Sequence, residues 1–77
     1  MAAKKKSRAC VAFGNAVRAV RTEHGISQEA LAHEHDFHRS YLGAVERGEF
    51  NVSLDMILKL AGSLDMTGAE LLRRARL

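Results

Sequence analysis

Apolar residues recur at intervals of three and four along most of the chain, a pattern that predicts helices and gives no credible strand. The first stretch covers about residues 9–24 and ends at Gly25, since glycine is a suitable helix stop. Its apolar face carries Cys10, Phe13, Val17 and Val20. The pattern therefore begins with one long helix.

A shorter second helix is predicted directly after the first. Ser27 is a good N-cap, and Leu31 and Ala32 give the helix an apolar face. The helix has to end near Asp36, a residue type that tolerates left-handed backbone better than most. Phe37 then supplies an apolar side chain that fills the corner of a tight turn.

A third helix restarts at about residue 38 or 39. Its apolar positions are Leu42 and Val45, and Gly48 provides a C-terminal stop. The rest of its circumference carries Arg39, Ser40, Gly43, Ala44 and Arg47. Two short helices joined by a tight turn have the spacing that places a helix in a DNA groove, so this segment predicts sequence-specific DNA binding.

Two more helices follow. Ser53 caps a fourth helix, and Asp55 suits the dipole at its start. One side of this helix carries Leu54, Ile57, Leu58, Ala61 and Leu64. Either Thr67 or Asp65 caps a fifth helix. That helix contains Leu71, Leu72 and Ala75. The predicted fold class is therefore all-α, with five helices.

The composition fits one small soluble domain. The 77 residues are 47% hydrophobic and 27% charged, and the longest apolar run is too short to cross a membrane. A chain of this length buries only about 60–65% of the surface that its unfolded form exposes, so a dimer interface would help to stabilise it. The basic N-terminus lacks the apolar core of a signal peptide, and we therefore expect a cytoplasmic protein.

The net charge of +3 is concentrated at the N-terminus. Four of the twelve basic residues lie there, namely Lys4, Lys5, Lys6 and Arg8. Residues 9–77 then carry eight basic and nine acidic residues, a balance of −1. We expect residues 1–8 to form a disordered basic arm and residues 9–77 to form the helix-turn-helix domain. Because the domain itself is not basic, the helix pattern rather than the charge carries the DNA-binding interpretation.

Neither a metal site nor an enzyme is expected. His33, His35 and His38 lie across a helix end and a turn, and together with His24 they lack a cysteine or a well-placed fourth ligand. Cys10 has no second thiol to pair with and is interpreted as a small apolar residue. The sequence offers no paired carboxylates with a pocket, no nucleophile with a base and no phosphate-binding glycine loop. We therefore expect no catalytic residue, no metal and no cofactor.

Five segments together resemble the Cro and repressor type of helix-turn-helix family, also called XRE-like. They are R-A-V-R at 18–21, G-I-S-Q-E-A-L-A at 25–32, R-S-Y-L-G-A-V-E-R-G at 39–48, N-V-S-L at 51–54 and L-A-G-S-L at 60–64. The resemblance runs from about residue 13 to residue 72 and implies a compact five-helix fold like that of lambda repressor. With this length and no second domain, the chain is most similar to a restriction-modification controller protein or a small Cro-like repressor.

The resemblance also implies a setting and partners. It implies a bacterial or phage protein, cytoplasmic and associated with the nucleoid, that binds double-stranded operator DNA. Binding would be by a homodimer on a pseudo-palindromic site, to activate or repress transcription. RNA polymerase is a further candidate partner. The alternative is a protein-interaction module with the same fold, such as the antitoxin of a toxin–antitoxin pair, for which a protein partner would co-purify.

DNA contacts are implied for residues at the start of the second and third helices. Gln28 would bind a phosphate, while Arg39 and Ser40 would reach base edges. Ala44 would face the same groove, and Gly43 would let the helix lie close to DNA. Further contacts, chiefly to phosphates, are implied for His38, Tyr41 and Arg47. Helix capping alone would also explain Gln28 and Ser40. Arg39 would then be a solvated surface residue, and Gly43 a tolerated glycine.

Structural roles are implied for other positions. Arg21 and Glu46 occupy sites that form a buried ion pair in the family. In the loop after the third helix, where relatives often carry a basic residue, this chain has Glu49. His35 and Asp36 are further departures from the family pattern. Candidate residues for a dimer interface are Phe50, Val52, Met66 and Leu71.

Overall fold

The computed structural model describes residues 6–77, which form five α-helices and no strand. The helices are α1 Arg8–Glu23, α2 Gln28–His35, α3 Arg39–Glu46, α4 Leu54–Ser63 and α5 Gly68–Arg74. The predicted all-α, five-helix fold is therefore confirmed. The first helix begins one residue earlier than expected, and residues 1–5 of the predicted basic arm lie outside the described residues.

Side-chain caps start four of the five helices. The hydroxyl groups of Ser7, Ser27 and Ser53 each accept a hydrogen bond from the backbone N–H three residues further on. Thr67, rather than Asp65, caps α5, where it forms a reciprocal capping box with Glu70. Such bonds satisfy N–H groups that have no partner within the helix, and so they fix where each helix begins.

The hydrophobic core lies around α1, which packs against both α3 and α5, while α2 packs on α3 and α4 packs on α5. Its largest fully buried side chains are Leu31, Leu42, Leu60, Leu64, Leu71, Val17 and Val45. Leu71 is 0% exposed within a single chain. The prediction that Leu71 contacts a second copy is therefore wrong, because its side chain is buried in the core of the single chain.

The apolar face of α4 is wider than its contact with the core. Leu60 and Ala61 are buried, whereas Leu54 and Leu58, which were expected to share the buried side, are 69% and 54% exposed. These two leucines are four residues apart and therefore lie on one face of the helix. The outer face of α4 thus presents apolar surface to solvent.

Helices α1 and α3 approach each other closely at Gly14, in the middle of α1. A Cβ atom at this position would lie 2.3 Å from the carbonyl oxygen of Val45 and 2.7 Å from that of Glu46, both in the backbone of α3. No side chain larger than hydrogen fits there without moving one of the two helices. Gly14 therefore sets the distance between α1 and α3.

No helix in the described part of the chain combines the length and the apolar character that a membrane span requires. Within residues 6–77, no three histidine, cysteine, aspartate or glutamate side chains are grouped as a metal site would need.

Candidate nucleic-acid interface

The turn between α2 and α3 is built as the sequence predicts. Asp36 adopts the left-handed conformation, with φ of 60°, and ends α2. The backbone N–H of Phe37 donates to the carbonyl oxygen of Ala32 at 2.9 Å, and the half-buried Phe37 ring packs against the core. The ammonium group of Lys59 lies 4.7 Å from the centre of this ring, over its face. The turn is therefore held by a backbone hydrogen bond to α2 and by the contacts of the Phe37 ring. It fixes the direction of α3 relative to α2.

A buried ion pair anchors α3 to α1. The guanidinium of Arg21 donates from Nε to Glu46 Oε2 at 2.7 Å and from Nη2 to Oε1 at 3.0 Å. A third donor, Nη1, is bonded to the carbonyl oxygen of Ile26 at 2.8 Å. The two side chains are only 9% and 2% exposed. The pair that the family resemblance implied is present, and it fixes the C-terminal end of α3.

Gln28, at the start of α2, joins this ion pair. Its amide nitrogen donates to Glu46 Oε1 at 2.9 Å. Sequence reasoning missed this bond, because the two residues are eighteen positions apart and nothing in the periodicity pairs them. Gln28 therefore links the N-terminus of α2 to the end of α3, and phosphate binding by its amide stays a prediction.

Five of the eight predicted DNA-binding residues line one shallow depression on the outer side of α3. The depression is formed by His38, Ser40, Tyr41, Ala44, Arg47, Glu49 and Phe50. His38 precedes the helix without a side-chain capping bond, and Ser40 is exposed. Ala44 is only 6% exposed, so it can offer little more than its methyl group. The described fold thus brings most of the predicted interface together.

Arg39 lies at the first turn of α3 and projects into solvent. Its Nε is 3.8 Å from Glu29 Oε2, and the two side chains are 61% and 78% exposed. At this distance the contact is an ion pair without a hydrogen bond. Because exposed pairs of this kind contribute little free energy, Arg39 can readily turn to another acceptor.

Tyr41 is held by an aromatic neighbour. Its ring centre lies 5.4 Å from that of Phe50, with the planes inclined at 37°. Both side chains are half-buried. Phe50, predicted as an interface residue, therefore also supports the wall of the depression.

Gly43 is covered in the free protein. A Cβ at this position would lie 3.3 Å from Nη1 of Arg47 and 3.5 Å from Oε1 of Gln28. The absent side chain thus leaves room for these two polar groups to converge over the helix. The close approach of Gly43 to DNA stays a prediction. It would require the side chains of Arg47 and Gln28 to move away from Gly43.

The second arginine of this face, Arg47, is bound by Glu49. Nε donates to Oε2 at 2.8 Å and Nη2 donates to Oε1 at 3.3 Å. Because the Arg47 guanidinium donates these hydrogen bonds to the negatively charged Glu49 carboxylate, its pKa is raised above the ordinary value. The sequence analysis noted the acidic residue in this loop but missed its bond to Arg47. The one sequence signal for this bond is the spacing of two residues between Arg47 and Glu49, with Gly48 between them.

Apolar side chains continue from the loop onto α4. Phe50 and Val52 line an apolar groove together with Ile57, Leu72 and Leu77. Met66 is half-buried and lies in a separate hollow with charged residues, among them Asp65 and Glu70. Phe50 and Val52 therefore share one surface, and Met66 does not line it.

This arrangement, an exposed helix held by a tight turn and a buried ion pair, defines a class of protein. The sequence pattern of the helix-turn-helix family matches residues 17–71, and the chain belongs to that family. The relatives that it matches include control proteins and a repressor with this fold, and not enzymes.

Within the family, the chain is similar to control proteins. It is 46% identical over 61 residues to control protein C.BamHI of Bacillus amyloliquefaciens, which covers 78% of this chain and 75% of that protein. It is 43% identical over 58 residues to control protein C.SmaI of Serratia marcescens, covering 75% and 69%. The crystal structure of the restriction-modification controller protein C.AhdI from Aeromonas hydrophila has a TM-score of 0.76 and 53% identity, over 80% of this chain and 94% of that one. The family resemblance is confirmed.

Proposed function

We propose that this chain is the controller protein of a restriction-modification system, a transcription regulator that binds operator DNA as a homodimer. The observation that carries the proposal is the outer face of α3, where Arg39 and Ser40 are exposed on a helix anchored by the Arg21–Glu46 pair. Similarity to C.BamHI and C.AhdI supports it. In this role the protein would act in the bacterial cytoplasm, with RNA polymerase as a further partner.

The mechanism follows from what each group can bind. The major groove admits a helix, and an arginine fork pairs with the O6 and N7 atoms of guanine. Arg39, at the start of α3, would make that contact, with Ser40 beside it. Gln28 and the free N–H groups at the start of α2 would bind a phosphate, as would Tyr41 and Arg47. Base contacts would supply specificity, and phosphate contacts would fix the register of α3 on the duplex.

Arg39→Ala is expected to weaken binding to a selected DNA site by about 1–3 kcal/mol and to relax the preference at one base pair, since a bidentate contact to guanine is lost. Binding to random DNA should change much less. Fluorescence anisotropy on matched duplexes measures both. Arg73→Ala, which removes one exposed positive charge on α5, is the matched control. An equal loss on every sequence would show that Arg39 contacts phosphate and not a base.

A homodimer is supported by the apolar surface beside the DNA-binding face. The outer face of α4 exposes Leu54 and Leu58, and this helix begins directly after the segment that carries Phe50 and Val52. Two copies related by a two-fold axis would bury this surface against itself. Their α3 helices would then enter successive major grooves about 34 Å apart, which requires a pseudo-palindromic operator.

Leu54→Glu is expected to shift the chain toward monomer, because it places a negative charge on each side of the proposed two-fold contact. The folded monomer should be unharmed, since Leu54 is 69% exposed and glutamate suits the first turn of a helix. Leu54→Met, which keeps the apolar side chain, is the control. Sedimentation velocity over a concentration series measures the result; an unchanged association constant for Leu54→Glu would exclude this face as the interface.

A further inference from the structure

The loop after α3 holds a carboxylate against an arginine of the proposed DNA-binding face. Glu49 accepts two hydrogen bonds from Arg47, at 2.8 and 3.3 Å. The Glu49 side chain is only 18% exposed, whereas that of Arg47 is 59% exposed. The pair therefore combines a partly buried carboxylate with an arginine that reaches into solvent.

The backbone at the end of α3 determines where Glu49 lies. Gly48 has a φ of 78°, its N–H donates to the carbonyl of Val45 at 2.9 Å, and the N–H of Glu49 donates to that of Ala44 at 3.0 Å. These two bonds form a Schellman motif. Gly48 also packs against α1, because a Cβ there would lie 2.8 Å from the Cα of Val11. Glu49 is thus positioned by the helix end and by α1, and not by its ion pair alone.

Arg47 binds Glu49 in the way in which it would bind a phosphate. An arginine fork offers parallel N–H donors to two oxygens, and carboxylates and phosphates accept it alike. Nε and Nη2 are both taken by Glu49. This edge of Arg47 is therefore not available to DNA until the carboxylate is displaced. Glu49 also lines the depression itself, where its negative charge opposes an approaching phosphate.

We propose that Glu49 is an internal competitor for DNA phosphate at Arg47, and that it sets the sequence-independent part of the DNA affinity. The inference rests on the proposed function, in which the outer face of α3 binds DNA. Phosphate contacts carry no sequence information directly, so this competition lowers affinity for every sequence by a similar factor. Base contacts by Arg39 and Ser40 are not affected, and the preferred sequence stays the same.

Glu49→Gln tests the proposal, because it removes the charge with little change of shape. We expect about two- to fivefold tighter binding at low salt, on selected and random duplexes alike, the effect of releasing one exposed ion pair. The plot of log affinity against log salt should steepen by roughly 0.9, one further phosphate contact. Fluorescence anisotropy over a salt series gives both quantities, and thermal unfolding verifies that each variant is folded.

Two further variants separate the ion pair from a general charge effect. Glu34→Gln removes an exposed carboxylate of α2 that does not line the depression, and its effect should be smaller. In an Arg47→Ala background, Glu49→Gln should lose most of its gain, because no fork remains to be released. A gain that persists undiminished in that background would overturn the proposal.

The remaining outcomes are also decisive. If the wild-type chain selects a DNA sequence and Glu49→Gln binds it equally well or more weakly, the competition is overturned, and Glu49 instead orients Arg47 for DNA. If the wild-type chain selects no sequence, the proposed function fails and this inference fails with it.

Discussion

Glu46→Gln is expected to lower the free energy of unfolding by about 3–5 kcal/mol, because it leaves the Arg21 guanidinium buried without a counter-charge. The same change weakens the bond to Gln28, so the start of α2 and the end of α3 lose their connection. A domain of this size has a total stability of roughly 4–11 kcal/mol, so the loss would be a large fraction of it. Urea denaturation followed by circular dichroism measures the loss.

The control for this prediction is an ion pair at the surface. Glu23→Gln breaks the contact between Glu23 and Arg74, which joins α1 to α5 but is exposed on both sides. Water solvates each group once the pair is broken, so the loss of stability should be far smaller. If the two variants lost the same small amount, Arg21 and Glu46 would not form the anchor described above.

Gly14→Ala is expected to destabilise the fold by about 3 kcal/mol, the upper end of the usual cost of overpacking a core, although alanine is the better helix former. The added Cβ would sit 2.3 Å from the backbone oxygen of Val45, which cannot rotate away as a side chain would. Helices α1 and α3 would have to separate, at the cost typical of an overpacked core. The separation would also stretch the ion pair between them.

Gly62→Ala is the matched control. Gly62 lies in α4, and a Cβ there would meet no atom within 4 Å. Here the usual preference for alanine applies, and a gain of about 0.5–1 kcal/mol is expected. The two glycine variants should therefore have opposite signs in the same denaturation experiment. A Gly14→Ala protein as stable as wild type would show that α1 and α3 are not in the close contact described.

Helix positions were predictable because their signals are local. Ser27 and Ser53 mark the starts of α2 and α4, Asp36 marks the end of α2, and Gly48 marks the end of α3. The hydrogen bonds at these helix ends join residues at most five positions apart. Each of these depends on residue type and short-range geometry alone. The helix-turn-helix segment, and with it the DNA-binding class, could thus be predicted from the sequence.

Periodicity was less informative about which apolar residues are buried. In α4 the apolar residues form a face wider than the part that the core covers, and the part that meets the core depends on where α5 packs. Leu60 is buried there while Leu54 and Leu58 are exposed. The same limit explains Leu71, which was assigned to an interface and is instead in the monomer core. A sequence pattern gives the face of a helix but not the element that covers it.

Long-range polar contacts were predicted only through the family resemblance. The Arg21–Glu46 pair was implied in that way, but its extension to Gln28 was not predicted. The bond between Arg47 and Glu49 was also not predicted, although it is local and joins residues two positions apart. No residue pattern encodes the distance between side chains on different helices. These contacts decide which donors of the α3 face are already bonded within the chain, so the details of the site required the structure.

The most direct test of the account is selection of binding sites by the purified wild-type chain from a random pool of double-stranded DNA. We expect an enriched inverted repeat whose half-sites lie about one helical turn apart, with a guanine in each half-site that depends on Arg39. Absence of any enriched sequence would contradict it and would favour the protein-interaction module as the function of this fold.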